Sequence, residues 1–122
     1  MEDTISRYRE RERVFQVAID YMMGRIGEKI TLVELCKYVG VNRNKMISLF
    51  RRFTNSTPFE WLRKKRLDTA KALIEESDAP ISIIAMEVGY SDANNFSTAF
   101  RNEFGISPRR YREYFNRTIE LS

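Results

Sequence analysis

Apolar residues recur along nearly the whole chain at the three- and four-residue spacing of amphipathic helices, and no stretch alternates as a half-buried strand does. Residues 1–10 carry little apolar material and no cap, so they read as a flexible, frayed N-terminal arm or an extension of the first helix. A first helix is predicted from about Arg11 to Met23, with Val14, Phe15, Ala18, Ile19 and Met22 on one face and Gly24 and Gly27 beyond its end. Thr31-Leu32-Val33-Glu34 has the form of a capping box, in which two side chains satisfy free amides of the first turn. The short helix behind it stops at Gly40, and Asn42 can cap the next one, which turns Met46, Leu49, Phe50 and Phe53 inward. Pro58 opens a long helix to about Glu76, with Phe59, Leu62, Ala70, Leu73 and Ile74 as its apolar contacts. Pro80 starts a short helix, Ile81 to Val88, closed by Gly89. Ser91 or Asp92 can cap the helix that buries Phe96, Phe100 and Phe104; Gly105 stops it, and Pro108 opens a last helix to about Arg117. The expected fold is all-α, with seven helices.

The pattern repeats. Leu35-Cys36-x-x-Val39-Gly40 aligns with Ile84-Ala85-x-x-Val88-Gly89 at an offset of 49. Beyond the turn the offset is 50: Phe50-Arg51 over Phe100-Arg101, Pro58 over Pro108, Trp61 over Tyr111. Each copy is a short helix, a glycine turn and a second helix, the helix-turn-helix pattern. The expected organisation is an arm at 1–10, a first helix-turn-helix subdomain at 11–57, a linker helix at 58–76 and a second subdomain at 77–122. A duplicated unit can be purely architectural, so repetition alone does not assign a function.

The faces left outside say more. At about 100° per residue, burying Met46, Leu49 and Phe50 turns Asn44, Ser48 and Arg51 outward. Burying Phe96, Ala99 and Phe100 turns out Asn94, Thr98 and Arg101, the same residue types fifty positions on. Asn can bind adenine through two hydrogen bonds, Ser or Thr can reach a base or a phosphate, and Arg suits guanine or phosphate. Ile47 flanks the first triad, where it can touch a thymine methyl, and Ser97 flanks the second. Small polar residues sit on any exposed helix, but two matching triads on the second helices of two helix-turn-helix units favour double-stranded DNA. A linker helix of ~18 residues at ~1.5 Å per residue spans ~27 Å. That length suits two recognition helices placed about one DNA turn, ~34 Å, apart in successive major grooves of an asymmetric site.

Composition narrows the alternatives. The 122 residues carry a formal charge of +4, no histidine and one cysteine. Lacking histidine, the chain lacks the commonest general acid/base and the commonest metal ligand, so neither an enzyme, a metal nor a cofactor is expected. Cys36 alone makes no disulfide framework and reads as a small buried apolar residue, with a redox switch as the alternative. No apolar run approaches the ~18 residues of a spanning helix, so no membrane role is expected. Charge is uneven. Between Asn42 and Arg66, Arg43, Lys45, Arg51, Arg52, Arg63, Lys64, Lys65 and Arg66 face Glu60 alone. A second basic zone runs from Arg101 to Arg117, and Glu75, Glu76, Asp78 and Glu87 lie between the two. A cationic face for a polyanion and a merely solvated surface both fit that distribution. Glu75, Glu76 and Asp78 are more simply a solvated helix end than a metal site. A protein-interaction adaptor of the same fold is the alternative from another functional class.

Residues from about Val14 to Phe115 resemble the DNA-binding domain of the AraC/XylS family of bacterial transcription regulators, in its compact standalone form. The resemblance rests on Arg66-Leu67-x-x-Ala70-x-x-Leu73-Ile74, then Ile84-Ala85-x-x-Val88-Gly89-Tyr90-Ser91-Asp92. Phe96-x-x-x-Phe100-Arg101-x-x-Phe104-Gly105-x-Ser107-Pro108-x-x-Tyr111-Arg112 completes it. Asn55 stands where the family usually has glycine, and Asn95 where an aromatic often precedes Phe96. The resemblance implies a cytoplasmic regulator at the bacterial nucleoid, binding promoter DNA as a monomer and activating through contact with RNA polymerase. With about ten residues before the first helix, no effector-binding domain fits, and no small-molecule effector is expected. By position in the family, Asn44, Ile47 and Ser48, then Asn94, Asn95, Ser97 and Thr98, would read bases. Arg43, Lys45, Arg51, Arg52, Arg101, Arg109 and Arg110 would make phosphate or mixed contacts.

Overall fold

The computed structural model describes residues 2–121. Its seven helices are α1 (Glu2–Met23), α2 (Leu32–Val39), α3 (Arg43–Thr54), α4 (Pro58–Glu76), α5 (Ile81–Glu87), α6 (Ala93–Phe104) and α7 (Pro108–Leu121), and no strand occurs among the described residues. The chain divides into two compact units, Met1–Leu62 and Arg63–Ser122, so the division falls inside α4 rather than at either end of it.

Of the two readings of the N-terminal residues, the helix extension holds and the flexible arm does not. Residues 2–10 form the first turns of α1, and Met1 lies outside the described residues. These turns have almost no apolar stripe of their own, but Tyr8 packs on Phe53 with ring centroids 5.8 Å apart. Arg13 pairs with Glu10 at 2.9 Å one turn away, a modest support for an exposed helix. The last helix likewise continues past Arg117 to Leu121.

In the first unit Ala18, Met22, Ile30, Leu35, Met46, Phe50 and Leu62 form the core. Phe15 stands edge-on to Phe50 at 5.0 Å and stacked on Phe53 at 4.9 Å, and Trp61 closes the far side of Phe50 at 6.0 Å. In the second unit Leu67, Ala70, Ile74, Ile84, Ala85, Val88, Phe96 and Phe100 form the core, with Phe104 and Tyr111 packed against it. Burying each such phenylalanine contributes roughly 1.5–3 kcal/mol.

The helix starts match the polar residues placed before them. Thr31 Oγ1 accepts from the Glu34 amide at 3.1 Å, and Asn42 Oδ1 from the Lys45 amide at 2.8 Å. Asp92, rather than Ser91, caps α6, accepting from the Asn94 and Asn95 amides at 2.7 and 3.1 Å. Thr57 and Ser107 cap α4 and α7 through the Glu60 and Arg110 amides, each directly ahead of its proline. Asn55 ends α3 at φ 55°, so it adopts the left-handed conformation for which glycine is the usual choice.

The turn after α5 depends on Gly89, at φ +98°. A Cβ there would lie 3.0 Å from Cζ and Nε of Arg66, whose guanidinium lies over the turn. The end of that flexible side chain can retreat, so the backbone sets most of the cost. Gly89→Val is therefore expected to destabilise the protein by about 2 kcal/mol or more, read as a lowered melting temperature. An unchanged melting temperature would show that the turn does not need the left-handed backbone.

Candidate functional site

Each unit presents one polar helix face whose orientation is set by the aromatic core behind it. On α3, Met46, Leu49 and Phe50 are buried, and Asn44, Lys45, Ser48, Arg51 and Arg52 are exposed. On α6, Phe96 and Phe100 are fully buried, and Asn94, Asn95, Thr98 and Arg101 are exposed. Arg43, Arg109 and Arg110 are exposed as well. Ile47 and Ser97, one residue round from the polar centre line, are half-buried at the edge of their faces.

The faces are not flat, and their shape groups the residues differently from helical spacing alone. Asn44, Lys45, Ser48 and Arg52 of α3 line a shallow concavity of about 380 Å³ together with Leu49 and with Arg11 from α1. On α6, Asn95, Thr98, Ala99 and Asn102 line one of about 320 Å³ together with Arg63, Leu67 and Glu103. Arg51, Arg101 and Asn94 lie outside these two concavities. Arg43 instead borders an apolar groove beside Leu32, Val33 and Cys36 on the α2 side of the first unit.

The basic runs also divide once their partners are seen. Lys64 bonds Glu103 at 2.9 Å and reaches Asp68 at 3.4 Å. The hydrogen bond to Glu103 holds its ammonium above the usual lysine range. Arg66 is half-buried against the Gly89 turn, and burial lowers its pKa from the ordinary arginine value. Arg112 donates to the Ala79 carbonyl at 2.6 Å and to the Ser77 carbonyl at 3.2 Å, satisfying carbonyls just past the end of α4. These three cations hold the second unit together. Arg63 and Arg101 have no ion pair among the described residues, and Arg109 meets only Glu113 at 3.9 Å.

Glu75 belongs to the same tie: it accepts the Tyr111 hydroxyl, joining α7 to the end of α4. The repeat sets Trp61 over Tyr111, but only the fold shows that the tyrosine carries a polar bond. Cys36 is a free, half-buried thiol, and burial pushes its pKa up against the opposing effect of Arg43. Among the described residues no acidic or thiol cluster suits a metal ion, and no helix is long and apolar enough to cross a membrane.

Similarity to known proteins follows the same residues. A family model described as a helix-turn-helix domain matches residues 35–114. The chain is 38% identical over 101 residues to the probable transcriptional regulator LumQ of Photobacterium leiognathi, a match covering 82% of this chain and 41% of that protein. The chain thus spans less than half the length of that relative. It is 30% identical over 101 residues to the regulatory protein SoxS of Salmonella typhimurium, covering 83% of this chain and 94% of SoxS. The crystal structure of an AraC-type transcriptional regulator from Chromobacterium violaceum superposes with a TM-score of 0.79 at 28% identity, covering 84% of this chain and 91% of that one.

Tyr111 has a pKa raised from 10.0 to about 12, through burial first and then its bond to Glu75. A tyrosine raised in the folded state contributes stability that is complete below its unfolded value, near 10, and is lost as pH climbs through about 12. Tyr111→Phe is expected to cost about 1 kcal/mol near neutral pH. The gap between wild type and variant should close as pH rises from 10 towards 12, which denaturant titrations at several pH values would follow. A gap constant across that range would separate the hydroxyl bond from the stability.

Proposed function

The chain belongs to the AraC-type helix-turn-helix family, and from that premise we propose that it is a sequence-specific regulator of transcription that binds double-stranded DNA. The observation carrying this reading is the pair of exposed polar faces on α3 and α6, each on the second helix of its helix-turn-helix. Asn44, Ile47 and Ser48, with Asn94, Asn95, Ser97 and Thr98, read base edges in the major groove. Arg43, Lys45, Arg51, Arg52, Arg101, Arg109 and Arg110 hold the phosphates and fix register without reading sequence. The half-buried Ile47 suits a thymine methyl at the edge of the groove.

Both units act on one site, with α3 and α6 in successive major grooves. Two complete units in one polypeptide support this, because a single chain then supplies what a dimer supplies elsewhere. The two reading faces differ in sequence, so the site is asymmetric and the chain binds it as a monomer. Regulation is activation, with RNA polymerase as the protein partner, in the cytoplasm at the nucleoid; the family resemblance supports this part.

Selection of bound duplexes from a randomised library, followed by affinity measurements at several salt concentrations, tests the proposal. Affinity should fall steeply with salt, each neutralised phosphate adding about 0.9 to the logarithmic slope. Asn94→Ala should cost ~1–3 kcal/mol on the enriched duplex and little on random DNA. Equal loss on both would remove Asn94 from the base-reading residues. Weak retention that ignores salt, with no sequence enriched, would instead favour a protein adaptor.

A further inference from the structure

The repeat extends one helix further back than the helix-turn-helix motif. Arg11, Phe15, Ala18 and Met22 of α1 stand 52 residues before Arg63, Leu67, Ala70 and Ile74 of α4. Ala18 and Ala70 are both fully buried, as are Met22 and Ile74 to within 1%. The scaffold helix of each unit is therefore set on its core in the same register. The concavities on the recognition helices obey the repeat too. Lys45, Ser48, Leu49 and Arg52 stand fifty residues before Asn95, Thr98, Ala99 and Asn102, and each set lines its own concavity. In both, the residue contributed from the scaffold helix at the matching place is an arginine: Arg11 in the first unit, Arg63 in the second.

We propose that Arg11 and Arg63 are equivalent phosphate clamps, one per unit, each gripping the DNA backbone at the rim of the groove its recognition helix occupies. This rests on the DNA-binding reading above and adds the scaffold helices to the interface. The electrostatics favour an anion at both places. Arg11 shares its concavity with Lys45 and Arg52, and none of the three is in an ion pair among the described residues. Arg7 continues the positive strip one turn back along α1, beside Arg11, Arg52 and the single carboxylate of Glu12. Arg52 is held over the Tyr8 ring, 5.8 Å from its centroid, so the early turns of α1 also steady the recognition-helix cation. In the second unit the acidic neighbour in the concavity, Glu103, is already bonded to Lys64 at 2.9 Å, leaving the Arg63 charge for an outside partner. A phosphate at either rim would relieve these unopposed charges. The bidentate fork of arginine suits it.

Arg11→Gln and Arg63→Gln keep most of each side-chain stem and remove the charge. Arg13→Gln is the control: Arg13 sits about 200° round α1 from Arg11 and is paired with Glu10. Fluorescence anisotropy with the duplex enriched by the wild-type full chain, across a salt series, reads the slope of log Kd against log salt. Each of Arg11→Gln and Arg63→Gln should lower that slope by about 0.9 and the pair by about 1.8, with Arg13→Gln unchanged. Arg11→Lys and Arg63→Lys should restore the slope, and circular dichroism should show each variant as helical as wild type. A steep wild-type slope that both Gln variants retain would overturn the clamps while leaving DNA binding in place. An equal drop for Arg13→Gln would overturn them as well, since only overall charge would then matter. A flat wild-type slope would remove the DNA-binding reading itself, and the clamps with it.

Discussion

Phe50 and Phe100, both wholly removed from solvent, fix the rotation of α3 and α6, and everything those helices present outward follows from that. A helix sealed to its core on one stripe has no freedom over what it shows on the other. Truncating such a phenylalanine to alanine costs about 3–5 kcal/mol, a large share of what stabilises a small domain. The chain makes this commitment twice, with Phe15 and Trp61 around Phe50 and with Phe96, Phe104 and Tyr111 around Phe100. Variation in the polar residues of α3 and α6 is therefore free to alter recognition without disturbing the packing.

Although the two units share a frame, they are held differently. The first relies on stacked aromatics and on Arg25 lying over Tyr21 at 4.0 Å beyond the end of α1. The second uses polar ties that cross between helices: Tyr111 to Glu75, Arg112 to the carbonyls of Ser77 and Ala79, and Lys64 to Glu103. Both sets of cations look alike in a charge count, yet one set is spent inside the unit and the other stays outside it. A basic run is thus a poor measure of the charge offered to a partner.

That distinction marks how far the sequence could be read. Helices announced by their own spacing and caps were legible: Thr31, Asn42 and Asp92 accept the first-turn amides that the spacing assigns them. The rotation of α3 and α6 was legible too, since it needs only the apolar stripe. What depends on a partner far along the chain was not. Residues 2–10 have no stripe to announce a helix, and the contact of Tyr8 with Phe53 exists only once α3 is packed. The destinations of Lys64, Arg66 and Arg112 are set by groups on other helices, which helical spacing cannot supply. The concavities regroup the polar residues for the same reason, as their rims come from α1 and α4.

Guanine-N7 methylation interference on the enriched duplex probes most directly whether both α3 and α6 occupy major grooves at once. Two blocks of interfering guanines of unlike sequence, about one helical turn apart on one side of the duplex, are expected. A single block, or two related by a palindrome, would contradict a lone chain reading an asymmetric site with both of its units.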